Sequence, residues 1–223
     1  FVVLAAGKGQ RMLGTTPKVL LPLAGKPMAQ HVLDTIETIK KARAIIVIGD
    51  QAEEVKKTLK APKNTKWIKQ RKRIGTGHAV KTALSATRRG SVVVVLYGDV
   101  PLVQGKTLKK LSKIASNDCL VVLTFYKDNP KGYGRIIRGS RNKVEAIVEE
   151  KDATEQQKKI REVNSGVMAI KSSYLKKLLP LVKNNNSARE YYLTDIVSLA
   201  KNAGLQVKPV LLQNSDETLG ANT

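Results

Sequence analysis

The chain is 223 residues long, 42% apolar and 4% aromatic, with 40 Lys and Arg against 18 Asp and Glu and a net charge of +22. That length buries one sizeable core with a small appended lobe. No apolar run is longer than Val92–Tyr97, far below the ~18 residues that span a bilayer, and no charged-then-apolar leader opens the sequence. Cys119 stands alone in an apolar strand pattern, which excludes an internal disulfide and reads as a reduced core residue of a cytosolic protein. With no second Cys and 2 His, a cysteine metal site has no partners.

Read in chain order, Val2, Val3 and Leu4 open a strand at 2–5 that stops at Gly7 and Gly9, with Lys8, Arg11 and Lys18 nearby. Glycines let a backbone approach a ligand closely, and N–H groups flanked by cations cradle phosphates. A tight strand-to-helix turn with solvated cations is the competing reading. Met12 occupies the third glycine position of a dinucleotide fingerprint and no Gly-Lys-Ser/Thr follows, so neither that motif nor a P-loop is present. Met28, Val32, Leu33 and Ile36 share a helical face behind Pro27, followed by a strand at 44–48, a Val55/Leu59 stripe and a strand at 66–69. Val80/Leu84, a strand at 92–96, Leu108/Leu111/Ile114 and a strand at 120–125 continue the alternation. Such βαβ spacing predicts a mainly parallel sheet flanked by helices, with ligands at the carboxyl ends of the strands. Gly7, Gly75 and Asp99 all follow strands or open helices, so one crevice can collect them.

After Tyr126 the pattern changes. A hairpin over 136–138 and 144–149 turns at Gly139-Ser140-Arg141-Asn142. A helix at 152–160, a strand at 167–170, helices at 174–179 and 193–203 and a strand at 207–212 follow. The stretch 132–186 reads as an inserted α+β substrate lobe within a single domain, 1–223.

Charge has its own signal. From Lys56 to Arg73 there are nine cations and no acid, with Trp67 among them. That stretch is either a nucleic-acid face or solvated surface. Cations spread over nearly every predicted helix and loop, and base-stacking aromatics are scarce, so the solvated surface is preferred and neither a specific nucleic acid nor a membrane is expected as partner. A positive field also steers anionic substrates.

The ordered motifs carry more. Gly7-Lys8-Gly9-Gln10-Arg11-Met12 with Pro17-Lys18 is followed by Gln70, Gly75-Thr76-Gly77-His78-Ala79, Leu96-Tyr97-Gly98-Asp99-Val100-Pro101-Leu102 and Gly132-Tyr133-Gly134-Arg135. Val148-Glu149-Glu150-Lys151-Asp152, Val163-Asn164-Ser165-Gly166, Asn184-Asn185-Asn186 and Glu190-Tyr191-Tyr192-Leu193-Thr194-Asp195 come after them. In this order, from Val2 to Asn222, they resemble the uridylyltransferase domain of the bacterial bifunctional N-acetylglucosamine-1-phosphate uridylyltransferase/glucosamine-1-phosphate acetyltransferases. The resemblance implies a Rossmann-like nucleotidyltransferase fold. The implied reaction is UTP plus N-acetylglucosamine 1-phosphate giving UDP-N-acetylglucosamine, a cell-envelope precursor, and pyrophosphate, with Mg2+ in the cytoplasm. It implies catalytic roles for Arg11 and Lys18 and nucleotide contacts from Leu4, Ala6, Gly7, Lys18, Gln70, Gly75 and Thr76. Gly134, Glu149, Asn164, Tyr192 and Thr194 are the implied sugar contacts, and Asp99 and Asn222 the implied metal ligands. Taken alone, Asp99 also suits a turn or cap, Glu149 a strand-end surface acid, and Asn164 a turn. His78 reads as a helix-terminus residue and His31 as a packing residue. The family's left-handed β-helix acetyltransferase domain, through which its full-length members form trimers, is absent from these residues, so this segment is expected to be monomeric. Lys72 and Arg73 depart from the family's usual acid and glutamine, and Arg189 from its glycine. An RNA-binding module and a nucleotidyltransferase for another sugar 1-phosphate are the alternatives.

Overall fold

The computed structural model describes residues 1–7 and 16–218. Strand β1 (Val2–Ala5) leads to a 3-10 turn (Lys18–Leu20), the small hairpin β2 (Pro22–Leu23) and β3 (Lys26–Pro27), and helix α1 (Met28–Glu37). β4 (Ile45–Ile48), α2 (Ala52–Thr58), β5 (Lys66–Lys69), α3 (Thr76–Ala83), β6 (Val92–Tyr97), α4 (Gly105–Ala115) and β7 (Cys119–Tyr126) complete the alternating half. Next come β8 (Arg135–Arg138), β9 (Val144–Val148), α5 (Glu155–Lys158), β10 (Glu162–Lys171) and α6 (Ser172–Leu178). A 3-10 turn (Leu193–Asp195), α7 (Ile196–Asn202), β11 (Gln206–Leu211) and a last 3-10 turn (Ser215–Thr218) follow.

The strand order is β11-β7-β10-β6-β1-β4-β5, with β8 and β9 branching from β10. β1 pairs parallel with β4 and β6, β4 with β5, and β11 with β7. β10 runs antiparallel to both β6 and β7. The expected α/β sheet is therefore present, with one reversed strand near its middle. Alternate side chains leave a strand on opposite faces. Val3, Ile46, Val94 and Leu96 pack with Leu33, Ile36, Leu108 and Leu111 on one side of the sheet. Val2, Val47, Val93 and Val95 pack with Val80, Leu175, Ile196 and Val197 on the other. Strands sandwiched between two helical layers must be apolar on both faces, which is why Ile45–Ile48 is a continuous buried run. β5 lies at the edge, and its Lys66 and Lys69 are exposed. Charged edge residues of this kind discourage pairing with a second sheet.

Three elements differ from the sequence pattern. The strand expected at 167–170 runs from Glu162 to Lys171, because the register shifts between Asn164 and Met168 and the turn-like Asn164-Ser165-Gly166 forms an irregularity inside it. Asn164 Oδ1 accepts from the Gly166 N–H at 3.0 Å and Ser165 Oγ from the Val167 N–H at 3.1 Å, so the bulge meets its own backbone groups. The helix expected at 152–160 is confined to Glu155–Lys158, opened by a capping box between Thr154 and Gln157. The helix expected at 193–203 begins with a 3-10 turn before α7. The 132–186 stretch supplies both the β8–β9 hairpin and β10, a strand of the central sheet.

Buried charges tie that hairpin down. Arg135, 1% exposed, donates to Glu150 Oε2 at 2.6 Å, to the Lys158 carbonyl at 3.3 Å and to the Tyr133 carbonyl. Arg138 grips Glu162 with two bonds of 2.6 and 2.7 Å, and Glu162 also accepts from the Thr124 hydroxyl at 2.9 Å. Cys119 is buried, as expected of a core cysteine, and donates to the Ile114 carbonyl at 3.2 Å. Burial pushes its thiol up. Among the described residues no helix is long and apolar enough to cross a membrane.

Replacing Arg135 with Met keeps most of the volume but strands Glu150 and two carbonyls. Urea unfolding of Arg135→Met is expected to show a loss of about 3 kcal/mol, and an unchanged midpoint would show that the network contributes nothing net.

Candidate active site

The carboxyl ends of β1, β4, β5 and β6 present Ala6-Gly7, Gly49-Asp50, Gln70 and Gly98-Asp99 on one side of the sheet. These ends are crowded. A Cβ on Gly98 would stand 3.1 Å from Val19 Cγ1 and 3.4 Å from the Leu4 carbonyl, and one on Gly49 would stand 3.0 Å from the Ala6 carbonyl. The Leu4 carbonyl accepts from the Gly98 N–H at 2.9 Å, fixing the turn that carries Asp99. Lys18 Nζ reaches Asp99 Oδ2 at 2.6 Å, with both side chains largely buried. Arg11 and Asn222, and with them Lys8, Gly9 and Met12, lie outside the described residues.

Gln70 is buried where its backbone N–H meets the Ile48 carbonyl at 2.8 Å. Its Nε2 donates to the Gly75 carbonyl at 3.3 Å and lies 3.0 Å from His78 Nδ1. Burial, then the charges of Lys81 and Lys72, lower the His78 imidazole and so favour the neutral ring, whose Nδ1 can accept from the Gln70 amide. His78 therefore orients Gln70, a role its sequence position did not reveal. Gly75 has φ +116°, and a Cβ there would lie 2.4 Å from the Tyr191 carbonyl. The Gly77 N–H donates to the same carbonyl at 2.7 Å, the Tyr191 N–H to Ile74 at 2.8 Å, and the Leu193 N–H to Thr76 Oγ1 at 3.0 Å. Two glycines thus let residues 74–77 lie directly against 191–193.

The residues implied for the sugar follow from that contact. Thr194 donates to Glu149 Oε1 at 2.9 Å, and a Cβ on Gly134 would stand 3.4 Å from Glu149 Oε2. The Asn164 N–H donates to the Gly134 carbonyl at 2.8 Å. Burial raises Glu149, and the Asp195 and Asp152 carboxylates add to it against the Thr194 bond. Tyr192 is pushed up to about 12 by burial and then by Asp152, Glu149 and other neighbouring carboxylates.

Tyr97 joins these groups. Burial, then the Glu149 charge and, less, Asp99, raise its hydroxyl well above the usual phenol range, with the Thr76 side chain acting the other way. Gly166, at φ +85°, lies against the ring, where a Cβ would come within 2.5 Å. Both residues lie inside the ordered motifs, with no task of their own legible in the sequence. The turn-forming glycine in the middle of an apolar strand was the available signal.

The departures also have local consequences. Arg73 pairs with Asp50 at the end of β4. Arg189 adopts φ +52°, a left-handed conformation that glycine enters without cost. Asn186 brackets the turn, accepting from the Glu190 N–H at 3.0 Å and donating to the Glu190 carbonyl at 2.6 Å. The cationic 56–73 stretch divides among α2, the β5 edge and the crevice, with Trp67 half-buried against the core.

Asp195 is raised from 3.8 to about 6 by burial and then by Asp152. The folded state therefore favours the protonated acid, and stability falls as pH rises from about 4 to about 6. Asp195→Asn is expected to melt above the native protein at pH 7 and to show no advantage below pH 4. A gain of equal size at both ends of this range would exclude the titration as its source.

Residues 1–191 match a family model described as the MobA-like NTP transferase domain. The chain is 46% identical to the bifunctional protein GlmU of Nitrosomonas eutropha over 222 residues, which is 99% of this chain and 48% of that protein. It is 48% identical to the bifunctional protein GlmU of Dechloromonas aromatica over 222 residues, 100% of this chain and 49% of that one. The chain thus spans about half the length of the curated relatives it matches. A crystal structure of UDP-glucose pyrophosphorylase complexed with UDP-glucose superimposes with a TM-score of 0.73 at 19% identity, over 90% of this chain and 86% of that chain. A putative glucose-1-phosphate thymidylyltransferase from Bacillus anthracis in complex with a sucrose gives 0.70 at 18% identity, over 96% and 89%. Those two likenesses concern the fold. On the match over residues 1–191, the chain belongs to the MobA-like NTP transferase domain family.

Proposed function

We propose that the chain transfers UMP from UTP to N-acetylglucosamine 1-phosphate, releasing pyrophosphate. One observation carries the reading. The Leu193 N–H donates to Thr76 Oγ1 at 3.0 Å on the implied base side, and the next residue, Thr194, donates to Glu149 Oε1 at 2.9 Å on the implied sugar side. Two groups of residues with separate implied ligands thus meet at one turn. The identity to the GlmU proteins over 222 residues and the fold shared with a pyrophosphorylase that holds UDP-glucose support it.

Asp99 fits magnesium. It offers a hard oxygen that already faces a cation, the Lys18 ammonium, at 2.6 Å. Among the described residues no group of three or more His, Cys, Asp or Glu forms a closed metal cage. Magnesium is characteristically held by one or two protein oxygens together with substrate phosphates. Asp99, with Asn222 beyond the described residues, would hold it. Bound there, magnesium would supply charge neutralisation at the phosphates.

In the proposed reaction a phosphate oxygen of the sugar phosphate attacks the α-phosphorus of UTP, and the bond to pyrophosphate breaks. The nucleophile is already an anion, so no side chain has to remove a proton. The protein aligns two polyanions and balances their charge. Lys18, with Arg11, supplies positive charge to the triphosphate. Gln70, held by His78, meets the uracil edge, with Gly75 and Thr76 closing over the base and the backbone of Leu4, Ala6 and Gly7 facing the nucleoside. Glu149, Asn164, Gly134, Thr194 and Tyr192 hold the amino sugar. The +22 charge raises the local concentration of both substrates at low ionic strength.

Pyrophosphate release measured with UTP, CTP, TTP and GTP against several sugar 1-phosphates should be fastest for UTP with N-acetylglucosamine 1-phosphate and should require magnesium. A clear preference for another pair would replace this substrate assignment. Asp99→Asn should lower kcat about a hundredfold or more, the several kcal/mol that a lost charged metal ligand represents, while the melting temperature shifts little. If kcat stays within a factor of two, Asp99 is not the metal ligand.

A further inference from the structure

A second concave surface lies at the opposite end of the sheet. It is a groove of about 740 Å³ under the amino ends of β1, β4 and β6, where Val2, Ile45 and Val92 begin those strands. β6 separates it from the crevice by about 20 Å at the usual strand rise. Eight Lys and Arg line it and no Asp or Glu does. All eight are exposed, and among the described residues none of them forms an ion pair.

The cations arrive from separate segments. Lys41 and Arg43 come from the turn between α1 and β4, Arg88 and Arg89 from the turn before β6, and Lys109 and Lys113 from successive turns of α4. Like charges four apart on a helix repel, and no acid within the groove relieves them. The arginine turn is held in place from beneath. The Arg88 carbonyl accepts from Ser91 Oγ at 2.7 Å and from Ser172 Oγ at 3.0 Å, and the Ser172 N–H donates to the Ser91 carbonyl at 2.8 Å. The floor is apolar, with Ile39, Ala42, Ala44 and Val92. A concave, preformed and mutually repelling set of cations is complementary to one kind of ligand, a compact polyanion. The volume falls in the range of small-molecule sites.

The geometry points to a second anion site in this groove, one that takes a short unbranched run of phosphates, as in inorganic polyphosphate or the tail of a nucleoside polyphosphate. It is independent of the crevice and of the transfer reaction proposed for it. An apolar floor beside the cations lets a nucleotide source bind more tightly than the bare phosphate chain. Apart from Phe1 no aromatic side chain lines the groove, so base stacking of a single-stranded nucleic acid has little support there.

The test is calorimetric titration of inorganic tripolyphosphate, and separately of ATP, in magnesium-free buffer at 150 mM salt. Three proteins are compared: the native chain, a variant with Arg43, Arg89, Lys109 and Lys113 changed to Glu, and a charge-matched control. In the control the exposed Lys143, Lys159, Lys177 and Lys183, all outside the groove, become Glu. The groove variant should bind one tripolyphosphate fewer per chain than the native protein, while the control keeps the native stoichiometry with affinity within about twofold. A tighter native affinity for ATP than for tripolyphosphate at this site identifies a nucleotide source, and the reverse identifies inorganic polyphosphate. Equal losses in both variants would reduce the effect to the overall +22 field and overturn the site, as would identical stoichiometry in all three. An RNA oligomer released by groove reversal while tripolyphosphate binding is unaltered would overturn the small-anion assignment. Should the Glu variant not melt cooperatively, the same four positions changed to Gln make the comparison, with at least a tenfold loss of affinity expected. Because the transfer assay reads the crevice alone, its failure leaves this result unaffected.

Discussion

Strand β10 is the constraint on which the rest of the molecule depends. It is hydrogen-bonded antiparallel to β6 on one side and β7 on the other, and it alone joins the β11–β7 pair to the β6-β1-β4-β5 half of the sheet. Without it the alternating half would end at β6 with an open edge. Its bulge at Asn164-Ser165-Gly166 does the positioning. The register shift there brings the Asn164 N–H to the Gly134 carbonyl and lays Gly166 on the Tyr97 ring. Continuous pairing would have alternated side chains without interruption and left no irregular backbone at the crevice. Arg138 on β8 and Thr124 on β7 converge on Glu162 at the start of the same strand. One buried carboxylate therefore holds three strands together, and removing one partner of such a cluster costs far more than the pair is worth at a surface.

Close approach, and not flexibility, explains the glycines around the crevice. Gly75 and Gly77 meet the Tyr191 backbone at distances that no Cβ could share, and Gly166 does the same with the Tyr97 ring. The contacts of Gly75 and Gly77 connect residues more than a hundred positions apart, as does the Leu193 N–H bond to Thr76. Residues 74–77 and 191–193 are consequently packed as one unit. Arg189 shows the converse. It occupies a left-handed position in which most residues are strained, and the two Asn186 bonds to Glu190 hold the turn around it.

Charge is distributed unevenly over this cationic chain. Asp195 and Asp152 are close enough to raise the Glu149 carboxyl, and Asp152 to raise that of Asp195. They stand beside a site whose implied ligands are themselves anions. Such carboxyls serve as hydrogen-bond partners for hydroxyl and amide groups, and burial shifts Glu149 and Asp195 toward the neutral acid, which limits the repulsion they present to phosphates. The cations lie mainly outside, on helices and strand edges, where they act over a distance that salt screens. Lys18 differs in being largely buried against Asp99.

Much of the architecture was legible in the residues. Continuous apolar runs such as Ile45–Ile48 and Val92–Tyr97 identify doubly covered strands, and the 3.6-residue spacing of Val32, Leu33 and Ile36 identifies the helix that covers them. The positions of Gly7, Gly75 and Asp99 after strands or at helix starts predict that one crevice can collect them. Other features follow no local rule. The direction of β10, the hydrogen bond by which His78 orients Gln70, the bond from the Leu193 N–H to Thr76, and the convergence of four cationic segments in the second groove all depend on long-range pairing. The sequence by itself determined which segments bury both faces and which motifs follow the strands, because periodicity and side-chain type are local properties. Only the tertiary structure decided which of those residues touch, because that is set by strand order and register, and the free energy that selects them lies in contacts between segments far apart in the chain.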